Sequence, residues 1–534
     1  LLNALALGVL LAFWAVFFYQ HSPPLYYAYV LFPVYFWLEV IKQMAWVREA
    51  LSLCLTSSRP KWHLPALVVV YVGMLEAMVY GYFDRRLYSL ELILMGLGWV
   101  LSLPRAFRAS HALAIAGWIA GCVVTAIFTM LPVLKAKSAE LALSGGLAIT
   151  LSGLAIFSQR GRFIFPASDQ NYTQTAAPKV VARIARRDSA LLLFQVAVIG
   201  VSTVVVYITQ CSIDSGNKSS LPSRWLLWTI LLASPAVPFV QLSYYKRLDL
   251  NPHFLHRLVS IYLAFATPFI ILSISYEPWF YLCFSGVLMM WLAMERASYQ
   301  FDLEMSLAAP TSQALGYQLA TPSYAAPVAG GNRNTNGRYK RTYNVIIDEA
   351  DDNKETQASL AGESSLQQQQ QQQPKHRPLT VRDARTALFF LLFISIAFFG
   401  TGNVASMASF NLSSVFRLVT VFRPFLMAVI LIFKILIPFI LLSAVFGVLN
   451  QCLNLPPFSL FLVVLSTTDI MTLNFFFLVR DEGSWLDIGM SISHFCISSL
   501  FVLLSIVLFV LSHVLVGRVL VAQPLSSYRD KKRT

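Results

Sequence analysis

Apolar residues in this chain come in long unbroken runs rather than in the alternation of a half-buried strand or the one-sided stripe of a soluble helix. A helix needs about 20 mostly apolar residues to cross the hydrocarbon core of a bilayer. Runs of that order lie near residues 1–19, 25–46, 64–83, 87–103, 112–134, 141–157, 190–209, 225–242, 255–274, 279–294, 386–402, 425–448, 459–479 and 491–515. They predict an all-α, polytopic transmembrane helical bundle of about 14 spans. The polar text is concentrated in one place: residues 297–380 hold an Ala/Pro/Ser stretch, the Gly- and Asn-rich segment Gly330–Gly337, the acidic segment Asp348–Glu355 and the tract Gln367–Gln373. Such a segment cannot bury enough apolar surface to offset its ordering entropy, so a disordered cytosolic linker is expected. The organisation that follows is a first helix group over 1–296 (about ten spans), the linker over 297–380, a second group over 381–517 (about four spans) and a basic tail over 518–534.

Composition agrees with this picture. Of 534 residues 57% are hydrophobic and 12% charged, about half the charged fraction of an ordinary soluble protein. The net charge of +14 does not point to nucleic acid, because Lys and Arg punctuate the gaps between runs instead of forming one basic face. If Leu1 enters from the cytosol, the cytosolic connections carry Arg48, Arg59 and Lys61, then Arg105 and Arg108, then Arg160, Arg162 and Lys179 to Arg187, then Lys246, Arg247 and Arg257. Opposite connections such as His21–Pro24 and Ser275–Pro278 are nearly free of basic residues, although Arg85–Arg86 and Lys135 with Lys137 run against the bias. Both termini are therefore expected in the cytosol. The chain opens on Leu1 inside an apolar run, and an upstream segment is expected before it.

Two sequons fall in expected lumenal loops and are candidate N-glycosylation sites, Asn217-Lys218-Ser219 and Asn411-Leu412-Ser413, whereas Asn171 lies on the cytosolic side and should stay bare. Lys531 and Lys532, fourth and third from the end, match a dilysine retrieval signal read by the COPI coat, which places the chain in the endoplasmic reticulum membrane. The six cysteines are far apart and form neither a disulfide framework nor a zinc motif. Asp249, His253 and His256 share a helical spacing, but Pro252 and the flanking Lys246, Arg247 and Arg257 argue against a cation there.

Ionisable groups inside apolar runs are costly and mark polar cavities, ion paths or interhelical pairs. Glu39, Glu91 and Lys434 are read as snorkelling to an interface or pairing structurally; Glu76 and Asp469 stay open. Asp469 follows Ser466-Thr467-Thr468 and precedes Asn474, so Thr468, Asp469 and Asn474 are the candidate lining of a lipid-headgroup cavity, with plain interhelical hydrogen bonding as the alternative. In the polar connection Arg480–Gly489, Asp487 is a candidate cap for the helix that follows and Trp485 suits an interface.

Asp469-Ile470-Met471, Asn474 to Asp481, Gly483 to Gly489, Ser491-Ile492-Ser493-His494 and Phe399-Gly400-Thr401-Gly402-Asn403-Val404-Ala405-Ser406 resemble the C-terminal membrane region of the glycosylphosphatidylinositol (GPI) ethanolamine phosphate transferase 1 family. The resemblance implies an endoplasmic-reticulum enzyme that moves phosphoethanolamine from phosphatidylethanolamine to the first mannose of a GPI precursor. It also implies a lumenal catalytic domain with two zinc ions and a threonine nucleophile. No dense Asp/His ligand set stands in this sequence, so no catalytic or metal residue is carried over, no cofactor is expected in these residues, and the chain alone is expected to be inactive. The expected partners are phosphatidylethanolamine, the GPI precursor and the COPI coat. A polytopic transporter or lipid-moving module without chemistry of its own is the alternative.

Overall fold

A computed structural model of the chain describes residues 2–21, 24–42, 63–131, 138–159, 178–216, 221–248, 252–308, 379–402, 414–456, 458–517 and 519. Every described element is helical, and there is no strand among the described residues. In chain order the α-helices are α1 (Leu2–Tyr19), α2 (Pro24–Lys42), α3 (His63–Tyr80), α4 (Arg86–Ser102), α5 (Arg105–Ser110), α6 (Ala112–Met130), α7 (Ala139–Ser158) and α8 (Pro178–Asp214). They continue with α9 (Leu221–Ala233), α10 (Val237–Arg247), α11 (Phe254–Leu272), α12 (Glu277–Ala308), α13 (Val381–Phe399), α14 (Pro424–Cys452), α15 (Ser459–Phe477) and α16 (Trp485–Val516). Helices α9 and α10 are joined by a single 3-10 turn at Ser234–Ala236, where Pro235 and Pro238 remove backbone donors, and together they run as one rod over Leu221–Arg247.

Among the described residues ten rods are long and apolar enough to cross a membrane: α1, α6, α7, α8, α9 with α10, α11, α12, α14, α15 and α16. Helices α2, α3, α4 and α13, of 17 to 19 residues, occupy the other apolar runs. Several helices outrun the expected boundaries. Helix α8 starts at Pro178 and carries Arg183, Arg186 and Arg187 on its first turns, and α12 continues to Ala308, past residue 296 where the linker was expected to begin.

Residues Leu1–Ser298 and Pro378–Thr534 form one compact unit, so the two helix groups on either side of the polar segment share a core. Tyr299–Arg377 form a second unit, of which the described part is the last turns of α12. The axis of the first unit is α11: every residue from Phe254 to Leu272 except Leu255 is buried. A helix apolar on all sides has to be surrounded, and α11 is packed by α7, α8, α9, α10, α14 and α16. The groups are also joined by rings. Phe389 of α13 meets Trp99 and Trp118 at 5.5 Å, and Trp291 of α12 stacks on Phe446 of α14 at 6.2 Å. Aromatic pairs of this kind add about 0.5–1.5 kcal/mol beyond their buried area.

Close approach of α7 and α8 depends on Gly146, where a Cβ would sit 2.5 Å from Thr203 Cγ2. The α11–α12 connection is a tight turn in which Ser275 adopts a left-handed backbone (φ 54) and the Glu277 carboxylate accepts the Ile274 N–H at 2.7 Å. A 3-10 turn at Val415–Arg417 folds over this end: Val415, Leu418 and Val419 pack with Leu227, Leu231, Ile271 and Met427.

Candidate functional site

Helix α15 presents two chemically different faces. On one, Thr468 is fully buried and its hydroxyl donates to Val464 O, while Thr472 bonds to Ser498 of α16 at 3.0 Å. These are helix-packing contacts, so Thr468 turns away from the polar side on which the sequence grouped it. Around the rest of its circumference runs a ladder of three bridges, with Thr467 and Asn474 toward α3 and Asp469, about 160° round the helix from Thr467, toward α2. The Thr467 and Tyr71 hydroxyls are 2.9 Å apart, Trp37 Nε1 donates to Asp469 Oδ2 at 3.0 Å, and Asn474 Nδ2 donates to Glu76 Oε1 at 2.5 Å. Asp469, Asn474 and Glu76 are half-buried. The structure therefore joins Asn474 to Glu76 but gives Asp469 a separate partner in Trp37, so the Asp469 and Asn474 that the sequence grouped point to different neighbours, and it adds Trp37 and Tyr71, aromatic residues that carry no mark in an apolar run.

The physical character of the ladder is its lack of cations. Asp469 and Glu76 are each held by a neutral N–H donor, and among the described residues neither has a basic partner within ion-pair distance. Carboxylates on apolar helices whose partners among the described residues are neutral can interact with a positively charged group or exchange a proton.

A second polar centre lies on the Ser273–Glu277 turn and is sealed. Glu277 is 1% exposed and accepts from Lys434 Nζ at 2.8 and 3.0 Å, so Lys434 forms the structural pair its position led us to expect. Arg417, 2% exposed, donates from Nε to Gln210 Oε1 (2.9 Å) and from Nη1 to Ser273 O (2.9 Å) and Ile271 O (3.2 Å), closing the C-terminal carbonyls of α11. Burial lowers its pKa to about 10 against the opposing pull of Glu277 and Asp214, so it stays charged at neutral pH. Neither Glu277 nor Arg417 was singled out by sequence, because each sits beside a loop and gains its meaning from partners 157 and 207 residues away.

The remaining expectations resolve as follows. Glu91 neither snorkels nor pairs: it is 2% exposed and both carboxyl oxygens lack a hydrogen-bond partner. His253 caps α11 by accepting from Leu255 N, and His256 meets Asp188 (3.1 Å) and Gln241 (2.6 Å), so these histidines do packing work. The cap of α16 is Ser484, not Asp487; Asp487 answers from three residues on, accepting the Ser484 hydroxyl at 2.7 Å while its N–H donates to Ser484 Oγ at 3.2 Å. Trp485 is 90% exposed. Among the described residues no group of three or more His, Cys, Asp or Glu is placed to hold a metal ion. Asn217, Asn411, Lys531 and Lys532 lie outside the described residues.

The fold and the ladder define a multi-pass helical membrane protein with half-buried carboxylates on two of its helices. The family model for Phosphatidylinositolglycan class N (PIG-N) matches residues 1–484, and the chain belongs to that family. A relative from Aspergillus oryzae named GPI ethanolamine phosphate transferase 1 is 36% identical over 499 residues, covering 92% of this chain and 43% of the relative. Relatives of the same name from Yarrowia lipolytica and Schizosaccharomyces pombe are 34% and 30% identical, covering 98% and 91% of this chain and 46% and 44% of their own lengths. The chain thus spans less than half the length of these curated relatives. No solved structure matches it.

Proposed function

We propose that this chain is the membrane part of an endoplasmic-reticulum enzyme that transfers phosphoethanolamine from phosphatidylethanolamine to the first mannose of a GPI precursor. The phosphotransfer chemistry itself belongs to a lumenal domain outside these residues. The reading is carried by family membership together with the ladder, in which Asp469 of α15 and Glu76 of α3 have no cationic partner among the described residues. Both substrates are lipids, so helices that hold their headgroups turn a search into a prepositioned encounter at the catalytic domain. The end bearing the Ser273–Glu277 turn and the Arg480–Ser484 connection faces the lumen, both termini face the cytosol, all fourteen apolar runs span, Lys531 and Lys532 bind the COPI coat, and Asn217 and Asn411 accept glycans.

The test compares three preparations at equal abundance in microsomes: the chain alone, the chain with its lumenal catalytic domain, and the latter carrying Asp469→Ala with Glu76→Ala. Transfer of labelled ethanolamine phosphate to a mannosylated GPI precursor should occur only with the catalytic domain present, and should fall at least about tenfold in the double variant. Transfer by the chain alone would overturn the division of labour. Unchanged transfer by the double variant would remove the ladder from the reaction and leave the transporter or lipid-moving reading.

A further inference from the structure

The end of the bundle opposite the Ser273–Glu277 turn gathers cations on two helices. Helix α8 has 37 residues, about 55 Å of helix against a hydrocarbon core of about 30 Å. Its apolar run begins only near residue 190, so the excess lies at its start and the first turns stand at headgroup level. There Ile184 and Asp188 are buried against the core, Asp188 meeting His256 of the first turn of α11 at 3.1 Å. Arg183, Arg186 and Arg187 fall within about 100° of one another on the flank of α8. Helix α10 ends beside them: Arg187 lies over the Tyr244 ring at 3.5 Å, and the Tyr245 hydroxyl donates to Asp188. Lys246 and Arg247 follow directly on α10 and, like Arg183 and Arg186, are exposed.

These cations lack counter-charge. The acid among them, Asp188, is buried and already taken by Tyr245 and His256. Among the described residues no carboxylate stands within ion-pair distance of Arg183, Arg186, Arg187, Lys246 or Arg247. Arg187 is also held in place. Its Nη1 is enclosed without an acceptor, while Nε and Nη2 are not enclosed and make no protein hydrogen bond among the described residues. A guanidinium laid flat on a ring offers a fixed planar fork, the geometry that takes a phosphate through two N–H groups, and exposed cations around it add charge without further geometry. Topological bias alone collects basic residues at a helix end, but it does not fix one of them on an aromatic face.

We propose that α8 and α10 form a surface that binds the phosphomonoester headgroup of an anionic lipid, with the phosphate on the Nε–Nη2 edge of Arg187 and Arg183, Arg186, Lys246 and Arg247 around it. The lipid source follows from the position of the patch. It stands at headgroup level with the apolar run of α8 directly beneath, so a headgroup reaches it while its acyl chains stay in the bilayer. The topology proposed above puts this end in the cytosol, the side on which anionic lipids are concentrated. The surface requires neither the lumenal domain nor the lipids of the transfer reaction, and it lies at the far end of α11 from the sealed Glu277–Lys434 pair.

The chain is reconstituted in phosphatidylcholine nanodiscs containing a trace of phosphatidic acid with a photoactivatable group close to its headgroup, and labelled peptides are mapped. Label is expected on residues 183–190 and 240–247. Arg183→Gln with Arg186→Gln, Lys246→Gln and Arg247→Gln, all on exposed side chains, should cut that label at least about tenfold. Arg187→Lys keeps the charge and loses the fork; it should lower labelling by phosphatidic acid about threefold while leaving labelling by photoactivatable phosphatidylserine unchanged. Arg105 and Arg108, expected at the same end of the bundle, are the internal control for plain charge. Label on residues 105–110 as strong as on α8 and α10, or label unaffected by the fourfold variant, overturns the site. An equal response of the two lipids to Arg187→Lys overturns the phosphomonoester assignment, and displacement by glycerol 3-phosphate at the concentration of the lipid overturns the lipid source.

Discussion

Two sets of charged residues sit in these helices, and they are treated in opposite ways. At the Ser273–Glu277 turn, Glu277 meets Lys434 directly and is closed off from the surroundings. On α15 and α3, Asp469 and Glu76 are left half-buried, with a tryptophan and an asparagine as their donors among the described residues. An ion pair that is sealed and satisfied on both sides belongs to the architecture. Carboxylates left without a cation in apolar surroundings hold capacity for something that arrives, and the contrast is what makes the ladder a candidate site.

The comparison can be broken most forcefully at the sealed pair. Glu277→Ala removes the carboxylate that Lys434 meets and frees the Ile274 N–H, and should cost roughly 3–5 kcal/mol, read as thermal unfolding in detergent; Glu277→Leu with Lys434→Met should recover most of it. A loss below about 1 kcal/mol would mean the pair does not hold the turn. Asn474→Leu leaves Glu76 without its donor and should cost about 1–3 kcal/mol, less where water reaches the carboxylate. Trp37→Phe removes one hydrogen bond to a half-exposed acceptor, so about 1 kcal/mol or less is expected. The sharpest case is the smallest: Asp469→Asn keeps an acceptor for Trp37, should change stability by within about 0.5 kcal/mol, and should still reduce transfer by the complete enzyme. Equal loss of stability and transfer in that variant would make the ladder structural.

The sequence made the helices legible because their signal is local: an apolar run such as 459–479 announces α15 whatever surrounds it. It also marked Asp469, Asn474 and Glu76, since a charge or amide in such a run stands out. What it concealed was partnership. Tyr71 and Trp37 are unremarked in apolar text, and Glu277 looks like a loop residue until Lys434 arrives from 157 residues away. Thr468 shows the same limit in reverse. Neighbours in sequence point 100° apart around a helix, so Thr467 joins the ladder and Thr468 the packing face. The position of Arg417, on a short turn folded back over α11, had no periodic pattern to reveal it.

Arg257 on α11 donates from Nε to Leu515 O at 2.7 Å and from Nη2 to the same carbonyl at 2.5 Å, and its Nη1 reaches Pro238 O at 2.6 Å. The acceptor at Leu515 lies one residue before the end of the last helix, so during synthesis the guanidinium waits for its main acceptor through the making of 258 further residues. A chain that stops short of that helix keeps Pro238 O as an acceptor for Nη1 but leaves Nε and Nη2 without theirs, so the first turn of α11 is completed only by the last helix made.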